Sequence, residues 1–126
     1  MPVTGVDQQI TGLLGLARRG GLLVAGDHAV RYALQRKKAA LVIVARDAGK
    51  ACRRRFDLWT RRAGVPLYVY GDKAGLGAIA GRAECAVVAV RDRGLAAAVE
   101  QRLRGAAARP GAESGGEPFV SQHSRV

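Results

Sequence analysis

One pattern recurs four times along this chain and limits what it can fold into. A short apolar stretch gives way to a turn carrying an aspartate, and the turn to a segment of helical periodicity, at Asp27, Asp47, Asp72 and Asp92. The apolar stretches are Leu22–Ala25, Leu41–Val44, Leu67–Tyr70 and Cys85–Val90. They are too short to stand as helices and read as strands. The last is unbroken by any polar residue, as a strand covered on both faces would be. Each aspartate is placed to cap the helix that follows it. Strands alternating with helices predict an α/β fold, with a sheet between helical layers.

The helices can be placed from the same reading. Thr4-Gly5-Val6-Asp7 resembles a capping box, and Ile10, Leu13, Leu14 and Ala17 then recur at helical spacing. Arg18 and Arg19 fall in the last turn, and Gly20-Gly21 ends the helix. A second helix follows Gly26-Asp27-His28 and runs to Arg36. A third spans about Ala48 to Ala63, with Cys52, Phe56, Trp59 and Ala63 as its apolar stripe, and Gly64-Val65-Pro66 stops it. A fourth carries Leu76, Ile79 and Ala80 and ends at Gly81, and a fifth carries Leu95, Ala96, Val99 and Leu103. From Gly105 the composition turns to Ala, Gly, Ser and Pro with no periodicity. Residues 1–104 are therefore expected to form one domain and residues 105–126 a disordered tail.

The charge is one-sided. The 126 residues hold 21 Lys and Arg against 10 Asp and Glu, a net charge of +11, and residues 1–104 carry all of the excess. Such a balance favours a polyanionic partner. The densest cluster lies on the third helix, at Lys50, Arg53, Arg54, Arg55, Arg61 and Arg62. A charge run is most simply a solvated face; it also suits contact with a nucleic-acid backbone. The turn at Gly26 lets the backbone approach a ligand closely, and the helix behind it presents amides to an anion. The stretch from Leu22 to Asp47 is accordingly read as an RNA-contacting edge.

Other classes find little support. There is no Gly-x-x-x-x-Gly-Lys-Ser/Thr and no Gly-x-Gly-x-x-Gly phosphate loop. His28 has no nucleophile in a recognisable local motif beside it, and His123 lies in the tail. Cys52 and Cys85 have no metal-ligand spacing, sit among apolar residues and read as reduced packing thiols. No catalytic residue, metal or cofactor is expected. No apolar run is long enough to span a membrane and the N-terminus has no signal pattern, so a cytoplasmic protein, monomeric by default, is expected.

The order of several segments resembles the ribosomal protein seven-Ae family, most closely its short bacterial branch called YlxQ. These are Leu14-Gly15-Leu16-Ala17-Arg18-Arg19, Gly26 before the second helix, Leu41-Val42-Ile43-Val44-Ala45-Arg46-Asp47, Val65-Pro66, Leu76-Gly77 with Gly81, and the Val87–Val90 strand. The resemblance covers about residues 8 to 104. It implies a three-layer α-β-α sandwich around a mixed sheet of about four strands. It further implies binding to kink-turn RNA, a sharply bent duplex with sheared G·A pairs, and a place on the ribosome. The family's RNA contacts come from a turn and helix of the form Gly-x-Asn-Glu-x-x-Lys and from the loop before the last strand. Carried over by position, Gly26 matches the glycine, Arg36 a basic residue four positions after the motif lysine, and Arg82-Ala83-Glu84-Cys85 the loop. With Asp27, His28, Arg31 and Arg46 of the same edge, Gly26, Arg36, Arg82, Ala83 and Glu84 are the expected RNA-binding residues, although Arg31, one position before Tyr32, points about 100° away from the motif lysine. Three motif positions depart: His28 stands for Asn, Ala29 for Glu and Tyr32 for Lys. Ala29 can accept no hydrogen bond from a base edge. The loop is also a residue shorter than in archaeal members. Phosphate contacts are therefore expected to survive better than base-edge contacts.

Two competing readings use the same residues. One is a protein-interaction module of the same fold that docks its basic surface on an acidic partner. The other is an accessory substrate-binding domain of an RNA-modifying enzyme, for which the chain lacks room for a second domain.

Overall fold

The computed structural model describes residues 5–107. The capping box at Thr4 and the tail from residue 108 onward lie outside the described residues. The elements are α1 Gly5–Arg19, β1 Leu23–Ala25, α2 Asp27–Gln35, β2 Leu41–Val44, α3 Lys50–Ala63, β3 Leu67–Val69, α4 Lys73–Ala80, β4 Val87–Val90 and α5 Arg93–Ala107. Helix α5 thus carries past residue 104, where the composition suggested the domain would end. Ala106 and Ala107 are strong helix formers and extend it across Gly105.

The strands form one sheet in the order β1-β4-β2-β3. Strand β4 pairs antiparallel with β1 (Leu23 opposite Val90) and with β2 (Leu41 opposite Val90), while β3 joins β2 in parallel (Val42 opposite Leu67). The sheet is therefore mixed. Every residue of β2 and β4 is buried, which is why these two strands read as unbroken apolar runs. Helices α2 and α3 cover one face; α1, α4 and α5 cover the other. From that second face Ile10, Leu14 and Ala17 of α1 and Val99 and Leu103 of α5 enter the core at 0–1% exposure, as their spacing predicts.

The stripe on α3 needs a correction. Phe56 is buried, but Ala63 is exposed and Thr60 takes an inward place at 0% exposure. The Thr60 hydroxyl can be buried because it donates to the Phe56 carbonyl at 2.6 Å. Trp59 stays half-buried at the seam with α2, edge-on to Phe56 with centroids 5.0 Å apart.

Only two of the four aspartates cap as expected. Asp72 accepts from the Gly75 amide at 2.7 Å and Asp92 from the Leu95 amide at 2.8 Å, each at the start of its own helix. Asp27 is instead the first residue of α2, behind Gly26 as N-cap, and its carboxylate turns away to Arg55. Asp47 lies too far before α3, whose N-cap is Gly49; its Oδ1 accepts from the Lys73 amide at 2.9 Å, the first residue of α4.

Topology then sorts the loops. Strands β1, β2 and β3 run one way and β4 the other. The connections β1–α2, β2–α3, β3–α4 and α4–β4 therefore gather at one end of the sheet, called here the Gly26 end. The connections α1–β1, α2–β2, α3–β3 and β4–α5 gather at the opposite, Lys37 end.

Candidate nucleic-acid interface

The Gly26 end is assembled from four loops that backbone hydrogen bonds tie together. The Gly26 amide donates to the Val87 carbonyl, Ala45 to Ala86, and Arg46 to Gly71, at 2.8–2.9 Å. Gly26 has φ 98° and ψ 154°, a conformation essentially reserved for glycine. Its carbonyl accepts from Val30, which starts α2. The amides of Asp27, His28 and Ala29 precede that bond and have no partner within the helix.

The guanidinium of Arg82 lies across this turn. Its Nη1 is 2.8 Å from where a Cβ on Gly26 would stand, and its Nη2 donates to the Ala25 carbonyl at 3.2 Å. Gly26 is thus required twice, for its backbone angles and for the space that Arg82 fills. The loop carrying Arg82 is held by α4. The Arg82 amide donates to Gly77 O at 2.7 Å and the Cys85 amide to Lys73 O at 2.9 Å. A Cβ on Gly77 would stand 2.6 Å from Glu84 Cα, so the loop backbone lies directly on the helix.

The other expected residues sort themselves around this turn. His28, Arg46, Arg82, Ala83 and Glu84 are exposed and their segments meet at this end. Glu84 faces Lys73 at 3.8 Å. Asp27 is exposed but engaged: Arg55 Nη2 lies 2.7 Å from its Oδ2, and the Cys52 thiol donates to its Oδ1 at 3.7 Å. Partial burial, followed by the Asp27 charge, pushes the Cys52 thiol up from its ordinary value, while Arg55 pulls the other way. The expectation of two buried thiols holds fully for Cys85 alone; Cys52 is half-buried, and both are free.

Arg31 and Arg36 are not at the turn. The Arg31 guanidinium lies over the Trp59 ring at 4.7 Å, on the seam between α2 and α3. Arg36 follows the end of α2, about 15 Å along the axis from Gly26. Its guanidinium folds back over the exposed Tyr32 ring at 5.3 Å. A cation therefore sits beside the position where the Gly-x-Asn-Glu-x-x-Lys motif has its lysine.

Sequence reasoning missed two participants. Arg18, in the last turn of α1, lies over Gly81, its Cζ 2.8 Å from the position of a Cβ there, one residue from Arg82. Lys73 holds the loop through its carbonyl and its ammonium. No local pattern marks either residue, because only the contacts of α1 and α4 bring them to the loop.

Fold and surface together define a three-layer α-β-α sandwich with a charged end built from loops. The chain belongs to the ribosomal protein L7Ae/L30e/S12e/Gadd45 family, whose model matches residues 8–100. It is similar to a protein with unknown function from Bacillus halodurans, with a TM-score of 0.73 and 29% identity over 76% of this chain and 97% of that one. It shares its fold with the Giardia lamblia 15.5kD RNA binding protein, with a TM-score of 0.68 and 20% identity over 83% of this chain and 92% of that one. No curated protein sequence matches the chain. Among the described residues no helix is long and apolar enough to cross a membrane, and no cluster of His, Cys, Asp or Glu could hold a metal.

Proposed function

We propose that this is a non-enzymatic, cytoplasmic RNA-binding protein, associated with the ribosome, that takes structured RNA at the Gly26 end. The observation that carries the reading is the Gly26 turn itself. A glycine-only backbone, unpartnered helix amides and the Arg82 guanidinium converge there on a chain of net charge +11. Membership of a family named for ribosomal proteins, and a fold shared with an RNA-binding protein, support it.

Arg82 and Arg46 supply phosphate contacts and His28 one hydrogen bond to a base edge. Arg36, held over Tyr32, supplies the charge of the motif lysine. With Ala29 unable to accept a hydrogen bond, preference for kink-turn RNA over straight duplex is retained but small. A titration against a kink-turn RNA and a straight duplex of equal length, at two salt concentrations, tests this. Tighter binding to the kink-turn at both salts is the expected result. Equal and strongly salt-dependent binding would reduce the reading to general backbone contact. Binding to neither would overturn it in favour of an acidic protein partner.

A further inference from the structure

A cluster of charge that the Gly26 turn does not use lies at the other end of the sheet. The connecting residues at the Gly26 end carry two basic and three acidic side chains (Arg46 and Arg82; Asp47, Asp72 and Glu84). Those at the Lys37 end carry four basic and one acidic (Arg36, Lys37, Lys38 and Arg91; Asp92). Lys37, Lys38, Arg91 and Arg93 line an open cleft of about 590 Å³. The acids nearby are already engaged. Asp92 caps α5 through the Leu95 amide, and Glu100 accepts from Tyr68 Oη at 2.9 Å and from Arg104 at 3.4 Å. Among the described residues none of the four cations makes an ion pair.

The backbone gives a second, independent sign. Lys37 has φ 58° and is the one non-glycine residue at positive φ among those described. It closes α2: the Lys37 amide donates to Leu34 O and the Lys38 amide to Ala33 O, at 3.2 and 2.8 Å. Helices α3 and α4 fill the equivalent place with Gly64 and Gly81, the residue that takes this conformation without strain. A lysine in its place keeps a long cationic side chain at the mouth of the cleft at the expense of backbone strain.

We propose that the Lys37 end is a second RNA-contacting surface, where Lys37, Lys38, Arg91 and Arg93 grip the sugar-phosphate backbone of a second helical segment of the bound RNA. The proposal rests on the RNA-binding reading above. The two loop clusters lie at opposite ends of the strands, about 15 Å apart along α2, so RNA held at the Gly26 turn must extend beyond it to reach the second. The cleft has cations and no aromatic side chain among its lining residues; it suits phosphate and carries no means of stacking bases.

The test uses two kink-turn RNAs, one with a long duplex arm and one with its arms cut short, and the full-length chain with Lys37→Gly combined with Arg93→Ala. Wild type should bind the long-armed RNA more tightly. The double variant should lose about tenfold on the long-armed RNA, with a log–log salt slope lower by about 2, and change little on the short-armed one. Lys37→Gly alone should leave the denaturation midpoint unchanged or raised, which a structural role for Lys37 would not allow. Equal binding of both RNAs by wild type, or unchanged binding by the double variant, would overturn the second surface and leave the Gly26-end reading standing. Loss of short-armed binding in Arg82→Ala separates the two ends. Failure of wild type to bind any RNA would overturn both.

Discussion

The two ends of the sheet differ more in charge than in backbone. At the Gly26 end, shape is fixed by backbone: three glycines at positive φ (Gly26, Gly71 and Gly81), a loop lying on Gly77, and cross-loop amide bonds. Its charge is mixed, and Asp27 and Glu84 are both paired. The Lys37 end has positive-φ glycines of its own, Gly21 and Gly64, and cross-loop amide bonds such as Arg91 to Leu22 O, but there charge dominates, and the one non-glycine residue at positive φ among those described is itself a cation. A mixed-charge surface can discriminate among partners, whereas an unneutralised basic cleft adds affinity without choice. The contrast also explains why net charge alone is a poor guide to the interface. The most basic loops are those farthest from the turn that family resemblance points to.

The shape of the Gly26 end is most easily disturbed at Gly77. Gly77→Ala improves helix propensity by about 1 kcal/mol, but its Cβ would meet only backbone atoms of Ala83 and Glu84. A net loss of about 2 kcal/mol is expected in chemical denaturation, together with weaker binding to short-armed kink-turn RNA, because the Arg82 loop must shift. Unchanged stability would mean that α4 does not set the shape of this end. Next is Arg82→Ala, expected to weaken RNA binding about tenfold through its phosphate contact and, because its guanidinium also fills the space over the Gly26 turn, to narrow the gap between kink-turn and straight duplex. A uniform loss on both RNAs, with the gap intact, would erase the distinction between the ends.

The smallest effects concern Asp27. Its pair with Arg55 is nearly half exposed on both sides, so Asp27→Asn should cost less than about 1 kcal/mol. Removing a carboxylate beside the α2 amides and freeing Arg55 should tighten RNA binding about threefold. The same variant should move the Cys52 thiol back toward its ordinary value. Burial, the larger cause, persists, but the Asp27 charge that also disfavours the thiolate is gone. Thiol alkylation measured against pH should therefore rise at lower pH in Asp27→Asn than in wild type. An unmoved profile would show that Asp27 and Cys52 do not share this contact in solution.

Much of this was legible in the sequence because it is local. Periodicity placed all nine elements, since buried strands must be apolar throughout and helices must bury one stripe. Asp72 and Asp92 were legible as caps because each sits at the residue where its helix begins. Asp27 and Asp47 look the same in sequence, yet one residue of offset sends Asp27 to Arg55, and a longer turn sends Asp47 to the amide of Lys73. Thr60 could not be read as core, because its burial depends on a hydroxyl bonded to its own helix and on the rotation of α3 toward α2. The meeting of Arg18 with Gly81 was equally out of reach, whereas that of Gly26 with Arg82 followed only from the family resemblance, which puts both in one site.

The order of residues alone sets the composition of each piece: which segments are strands, which faces are apolar, that glycine stands before α2, and that the chain is strongly basic. Which charges are neutralised and which remain free is settled by the packing of distant elements. Ion pairs such as Asp27–Arg55 and Lys73–Glu84 join different elements, and the strand order decides which loops share an end. Local propensity acts over a turn or two of helix, whereas electrostatic pairing acts through space, so the charge that matters to a polyanion is settled only once the chain has folded.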